Sequence, residues 1–196
     1  MAEKNQGRKA KGTLLVPLAI IVNGRKDLDW KGDGGLTDQD LQLIRAGILA
    51  SAWYDLNLFE KIGRATFRMV GKNRPEVADQ FGQGMLWGVL VNIYRSALLK
   101  DDPGEALAKL ASVYQGTFFS TGSAEFAPTE QGGTFKITDP EGIPAQEVLA
   151  LAFKSLIGKT VRENQGKNVR VECEEESLLN SRKLDSLSYQ IYWAKK

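Results

Sequence analysis

From residue 37 to residue 114 the apolar positions recur at helical spacing, and each segment carries its own start and stop signals. "TDQDLQLIRAG" opens on Thr37 as an N-cap, has Asp40 in the capping-box position and stops at Gly47. "DLNLFEKIGRATFRMVG" places Leu58, Phe59, Ile62, Thr66 and Met69 along one stripe and ends at Gly71. The spacing predicts a long helix from Arg74 to Lys100, with Pro75 in its first turn and Asn73 as its cap. "DDPGEALAKLASVYQGTFF" has Asp102 as N-cap, Pro103 at the first position and Glu105 three residues after the cap.

After residue 120 the period changes. "SAEFAPTE" and "GTFKITD" alternate and are separated by "QGG", which predicts a hairpin. "DPEGIPAQEVLALAFKSLIGKTVRENQG" returns to helical spacing, with Val148, Leu149, Ala152, Phe153, Leu156 and Ile157 on its apolar side. "NVRVEC" then alternates with Val169, Val171 and Cys173 on one face, and "LSYQIYW" with Tyr189, Ile191 and Trp193 on one face. The order is a helical half followed by β-β-α-β-β. This predicts an α+β fold with an antiparallel four-stranded sheet, one face covered by helix.

The first residues are less decided. Gly12 to Asn23 reads either as a β-branched strand or as a buried helix interrupted near Pro17. Residues 24–37 are a Gly- and Asp-rich loop. Lys4, Arg8, Lys9 and Lys11 against Glu3 give the first eleven residues a charge of +3. Residues 1–11 therefore read as a disordered basic tail and 12–196 as a single α+β domain, so deletion of residues 1–10 is expected to leave stability almost unchanged.

Composition narrows the chemistry. The 196 residues are 42% hydrophobic and 26% charged, which is globular. A net charge of +2 gives no global field for nucleic acid. No apolar run reaches the length of a membrane span, and "LLVPLAIIV" is short, holds Pro17 and lacks a cleavage pattern, so a cytoplasmic chain without an integral membrane segment is expected. With no histidine and one cysteine, an internal disulfide, a conventional zinc site and histidine-based nucleophile systems are excluded. "ECEEES" (Glu172 to Ser177) reads as a solvated hairpin tip, and Cys173 as a small buried hydrophobe. In "FGQGMLWG" the glycines at 82, 84 and 88 do not fit the dinucleotide fingerprint. Gly84 and Gly88, four apart, point to close helix–helix approach.

Five short stretches in order carry a likeness: "KGTLL" from Lys11, "AWYDLNLF" from Ala52, "IYRSALLKDDP" from Ile93, "GKNVRVE" from Gly166 and the closing "YQIYW" from Tyr189. They resemble the superfamily of haem nitric-oxide-binding domains, four-vinyl-reductase-type small-molecule-binding domains and small subunits of the TRAPP vesicle-tethering complex, and most closely a group of bacterial relatives of about this length. The departures are chemical. Haem-binding members use a helix histidine and a Tyr-x-Ser-x-Arg arrangement; this chain has no histidine, and "YRS" at Tyr94 to Ser96 does not supply the second. Vinyl-reductase-type members carry cysteines around the last hairpin, where this chain has Cys173 alone.

The resemblance implies a non-enzymatic binding module, a sensor or carrier that encloses a small apolar ligand without haem, metal or other cofactor. It also implies an internal cavity between helices and sheet, for which Trp53, Tyr54, Phe59, Trp87 and Tyr94 are the candidate lining, with ordinary core packing as the bland alternative. The tethering subunits imply the other reading, an adaptor that meets a protein partner or a second copy of itself. No catalytic or metal-ligating residues are assigned.

Overall fold

The computed structural model describes residues 7–114 and 116–194. Lys9–Lys11 form a short strand, β1, and Gly12–Gly24 form helix α1. The undecided segment is thus helical. Its residues are apolar on every side, and Leu14, Leu15, Leu18, Ala19 and Val22 are all buried, as a helix inside a core requires. Pro17 sits within α1 without ending it. α2 (Asp38–Ala46) begins with the expected capping box: the Asp40 amide donates to Thr37 Oγ1 at 3.1 Å and the Thr37 amide to Asp40 Oδ2 at 2.9 Å. β2 (Trp53–Asp55) then pairs antiparallel with β1.

The basic tail expected over residues 1–11 is corrected at Arg8 to Lys11; residues 1–6 lie outside the described residues. Arg8 is only 4% exposed. Its guanidinium donates to the buried Asp139 carboxylate at 2.5 Å and to the Gly142 carbonyl at 2.9 Å, and its Nε donates to Thr121 Oγ1 at 3.1 Å. The physical reason is non-local. A charge without a neighbour in sequence reads as solvated, but a carboxylate 131 residues away pairs it inside the fold.

α3 (Leu56–Met69) starts at Asp55, whose carboxylate accepts the Asn57 amide at 2.7 Å. The helix expected over 74–100 is divided. α4 (Pro75–Gln80) has Pro75 in its first turn, with Arg74 rather than Asn73 as cap, because Asn73 adopts φ 55°. A π-helical segment, Phe81–Leu86, follows, then α5 (Trp87–Leu98), whose Tyr94 leaves helical geometry. The poor helix propensity of Gly82, Gly84 and Gly88 lets tertiary packing set this path. α6 (Pro103–Tyr114) has the expected cap, with the Glu105 amide donating to Asp102 at 2.9 Å.

β3 (Ser123–Thr129) and β4 (Gly132–Thr138) are the expected hairpin. α7 (Gln146–Glu163) crosses to β5 (Lys167–Cys173), and β6 (Ser186–Ala194) inserts between β4 and β5, so the antiparallel sheet runs β3–β4–β6–β5. Phe135, Ile137, Leu187, Tyr189 and Ile191 point into the core, while Thr134 and Gln190 pair on the other face. Buried Gln146 ties the β5–β6 loop to α7: its amide group donates to the Leu179 and Arg182 carbonyls, both at 2.6 Å, and its oxygen accepts the Leu184 amide at 2.8 Å. Among the described residues no helix is long and apolar enough to cross a membrane.

The closing strand keeps the expected faces. Trp193 is 6% exposed, whereas Tyr192 is 42% exposed beneath the Arg170 guanidinium. Trp193→Ala should therefore cost about 3–5 kcal/mol and Tyr192→Ala clearly less, as measured by denaturant unfolding. Arg8→Ala should cost about 3–5 kcal/mol in the same assay, because it leaves the Asp139 carboxylate buried and unpaired.

Candidate functional site

Four helical elements meet over the inner side of the fold. Leu14 and Leu18 of α1, Phe59 and Gly63 of α3, Val148 and Ala152, and Leu149 and Phe153 of α7 are each pairs four residues apart, so each pair presents one helical face. Phe81 and Leu86, the two ends of the π segment, close the space between them. The result is a cavity of about 20 Å³ whose lining side chains are all apolar or glycine. That is room for about one water-sized molecule, and apolar cavities of this kind stay dry. π-helical turns recur at functional sites.

Two glycines shape the cavity in opposite ways. At Gly63 a Cβ would meet nothing within 4 Å, so the missing side chain is part of the empty space. At Gly82 a Cβ would stand 2.2 Å from the Ala152 carbonyl oxygen, so only glycine lets the π segment lie this close to α7. The close approach expected at Gly84 and Gly88 is corrected: a Cβ at either meets nothing within 4 Å. Their four-residue spacing presupposed a regular helix, which the π segment is not.

The five expected lining residues separate. Phe59 lines the cavity and meets Phe119 edge-on at 5.4 Å. Tyr94 packs edge-on against Phe118 at 6.2 Å, and its hydroxyl bonds with Thr13; burial nevertheless raises its phenol pKa. Trp87 is buried in the general core. Tyr54 is half-buried, with its hydroxyl accepting the Leu49 amide at 2.8 Å. Trp53 lies at the surface, 37% exposed, under the Lys11 ammonium. Residues not singled out as lining do more: Leu14, Leu18, Gly63 and Phe81 build the cavity wall. Beside it, Tyr114, Phe118, Phe119 and Phe153 pack ring against ring at 5.3–6.5 Å. The Tyr114 hydroxyl has no hydrogen-bond partner, and burial pushes its phenol far above the ordinary range.

Haem does not fit these residues. The chain has no histidine, which leaves cysteine thiolate, methionine or tyrosine as iron ligands. Cys173 is buried, and burial pushes its thiol up to about 11, the opposite of the lowered value of a cysteine poised to ligate. Rings pack around Tyr114 beside the cavity, and the cavity of about 20 Å³ is far below the roughly 300–1,000 Å³ of a pocket for a sizeable ligand. Among the described residues no group of three His, Cys, Asp or Glu side chains could hold a metal ion. The acidic hairpin residues have separate partners: Glu174 accepts from Gln190, Glu175 from the Ser188 amide, and Glu176 pairs with Lys154.

No protein-family model matches the chain, and no curated protein matches its sequence. Solved structures do match. An H-NOX protein from S. oneidensis in the Fe(II)NO state matches with a TM-score of 0.64 and 12% identity, over 94% of this chain and 99% of that one. A mutant H-NOX protein from K. algicida, Fe(II) and unliganded, matches with a TM-score of 0.63 and 12% identity, over 95% and 97%. An oxygen-binding H-NOX domain related to soluble guanylate cyclases, in its oxygen complex, matches with a TM-score of 0.60 and 14% identity, over 94% and 93%. The chain has the H-NOX fold: helices first, then the antiparallel four-stranded sheet.

The two glycines supply a check on the cavity. Gly63→Ala should stabilise the protein by about 1 kcal/mol, through helix propensity and a methyl group placed in empty space. Gly82→Ala should destabilise it by about 1–3 kcal/mol, by forcing the π segment off α7. Denaturant midpoints of the two variants should move in opposite directions.

Proposed function

We propose that the chain is a non-enzymatic binding module, a sensor or carrier that encloses a small apolar ligand without haem or metal. The observation that carries this reading is the small, wholly apolar cavity between α1, α3, α7 and the π segment. Its wall offers no partner to a charged or strongly polar molecule, whose burial there would be costly. At rest it admits only a very small ligand; a larger one enters by displacing Phe81 or Leu86, side chains carried on irregular backbone. The shared fold supports the reading, since H-NOX structures include an oxygen complex and an Fe(II)NO state. In this proposal the chain is a haem-free branch of the superfamily that also holds vinyl-reductase-type domains and tethering subunits.

The reactive side chains support a non-enzymatic role. Cys173 is buried and held as a thiol. The Ser155 hydroxyl is buried and donates to the Asp79 carboxylate where α4 packs on α7. A single buried thiol also suits a cytoplasmic location.

Native mass spectrometry of the full chain tests the proposal. The expected spectrum shows a neutral species retained one-to-one, released on denaturation and diminished in Gly63→Val, which fills the cavity. A bare chain would overturn the ligand, and a bare dimer would favour the adaptor reading. Retained haem would overturn the haem-free assignment.

A further inference from the structure

The loop between α2 and β2, "GILASA" (residues 47–52), is apolar in sequence yet lies at the surface. Leu49 is 67% exposed, the highest value among the large apolar side chains of the described residues, and Trp53 follows just beyond the loop. Ordinary surface loops direct their backbone polar groups to water. Here they turn inward. The Leu49 amide donates to Tyr54 Oη at 2.8 Å, and the Leu49 carbonyl accepts the Ala52 amide at 3.0 Å. The Ala50 carbonyl accepts both the amide and the hydroxyl of Thr13, and the Ala52 carbonyl accepts the Gly12 amide at 2.9 Å. The loop therefore caps the first turn of α1, whose opening amides have no partner within the helix. Gly12 is required for this seat, because a Cβ there would stand 2.0 Å from the Leu49 carbonyl oxygen.

The loop thus has the carbonyls of Leu49, Ala50 and Ala52 satisfied internally and its large side chain outside. Such a segment can leave water without stranding those polar groups, which is the main cost of moving backbone into an apolar medium. Its neighbour is cationic. In the β1–β2 ladder Lys11 lies opposite Trp53, with its ammonium 4.5 Å from the ring centroid, and Lys9 lies on the same exposed face while Ala10 between them is fully buried. Asp55, opposite Lys9, is turned to the Asn57 amide as the cap of α3. Residues 1–11 carry a charge of +3 in sequence. A Leu–Trp tip beside lysines matches the layered chemistry of an anionic bilayer, with apolar side chains at acyl depth, tryptophan at the headgroups and ammonium groups on phosphate.

We infer that the pinned Leu49 loop, with Trp53 and the lysines of β1, is a peripheral docking site for the surface of an anionic lipid bilayer. The test is co-sedimentation of the full chain with vesicles of phosphatidylcholine alone and of equimolar phosphatidylcholine and phosphatidylserine. Binding to the mixed vesicles and much weaker binding to the neutral ones is expected. Leu49→Asp should weaken binding at least about tenfold, since it removes a Leu burial. Lys9→Glu with Lys11→Glu should weaken it by about tenfold or more, and high salt should do the same. Ile93→Ser, an exposed apolar residue on α5, should leave it unchanged. Because Leu49 is so exposed, Leu49→Asp should unfold at the wild-type midpoint, which separates lost docking from lost folding. Absence of binding to the mixed vesicles, or equal binding by Leu49→Asp and wild type, would overturn the inference and leave a groove on a protein partner as the occupant of this tip.

Discussion

Burial of α7 on both of its sides is the constraint on which the rest of the fold depends. Leu149, Ala152, Phe153, Leu156, Ile157 and Val161 are all buried, and so are Ala150, Ser155, Gly158 and Thr160 on the remaining circumference. A helix buried this widely cannot be satisfied by a sheet alone. The sheet covers one side through β6 and β5, and α4, the π segment and α6 cover the other. The cavity lies in that second layer because the covering segment is irregular. Gly82 brings it hard against α7 at one point, and the gap is left where Gly63 withholds a side chain.

The same layering explains why the interior suits one kind of occupant. A porphyrin needs a broad slot and an iron ligand. Here the interior beside the cavity is taken by rings from α6, the turn after it and α7, with Phe118, Phe119 and Phe153 each packed against Tyr114. Packed aromatic edges are rigid because each ring fixes the tilt of the next. What is left is a small void walled by aliphatic side chains, three phenylalanines and the π segment, apolar on every side.

Much of the architecture was legible in the chain, for reasons that are local. The Thr37–Asp40 box and the Asp102 cap are four-residue signals whose partners are neighbours in sequence. The faces of β6 follow from alternation, which the sheet preserves because a one-residue slip would expose Tyr189 and Trp193. What was not legible depends on distant partners. α1 is apolar all round, so periodicity could not distinguish strand from helix. The π segment needs α7 to explain it, so the four-residue spacing of Gly84 and Gly88 points away from Gly82, where the close contact lies. Of the site, Phe59 was legible as a large aromatic on an apolar stripe, but a wall made of Gly63, Leu14 and Leu18 announces itself only once α1 and α3 are side by side.

The pair between Arg8 and Asp139 also orders events in time. Its two ends are 131 residues apart, so a growing chain exposes the cation long before its counter-ion exists. β1 can meet β2 once residue 55 has emerged, but Arg8 cannot be buried without penalty until the β3–β4 hairpin has delivered Asp139. Closing so long a loop carries an entropic cost that the buried pair and its hydrogen bonds offset only once they are made. The N-terminal strap therefore works as a latch between the two halves of the molecule: a strand at the start of the chain is fastened to the residue that follows β4, and neither charge is neutralised inside the fold without the other.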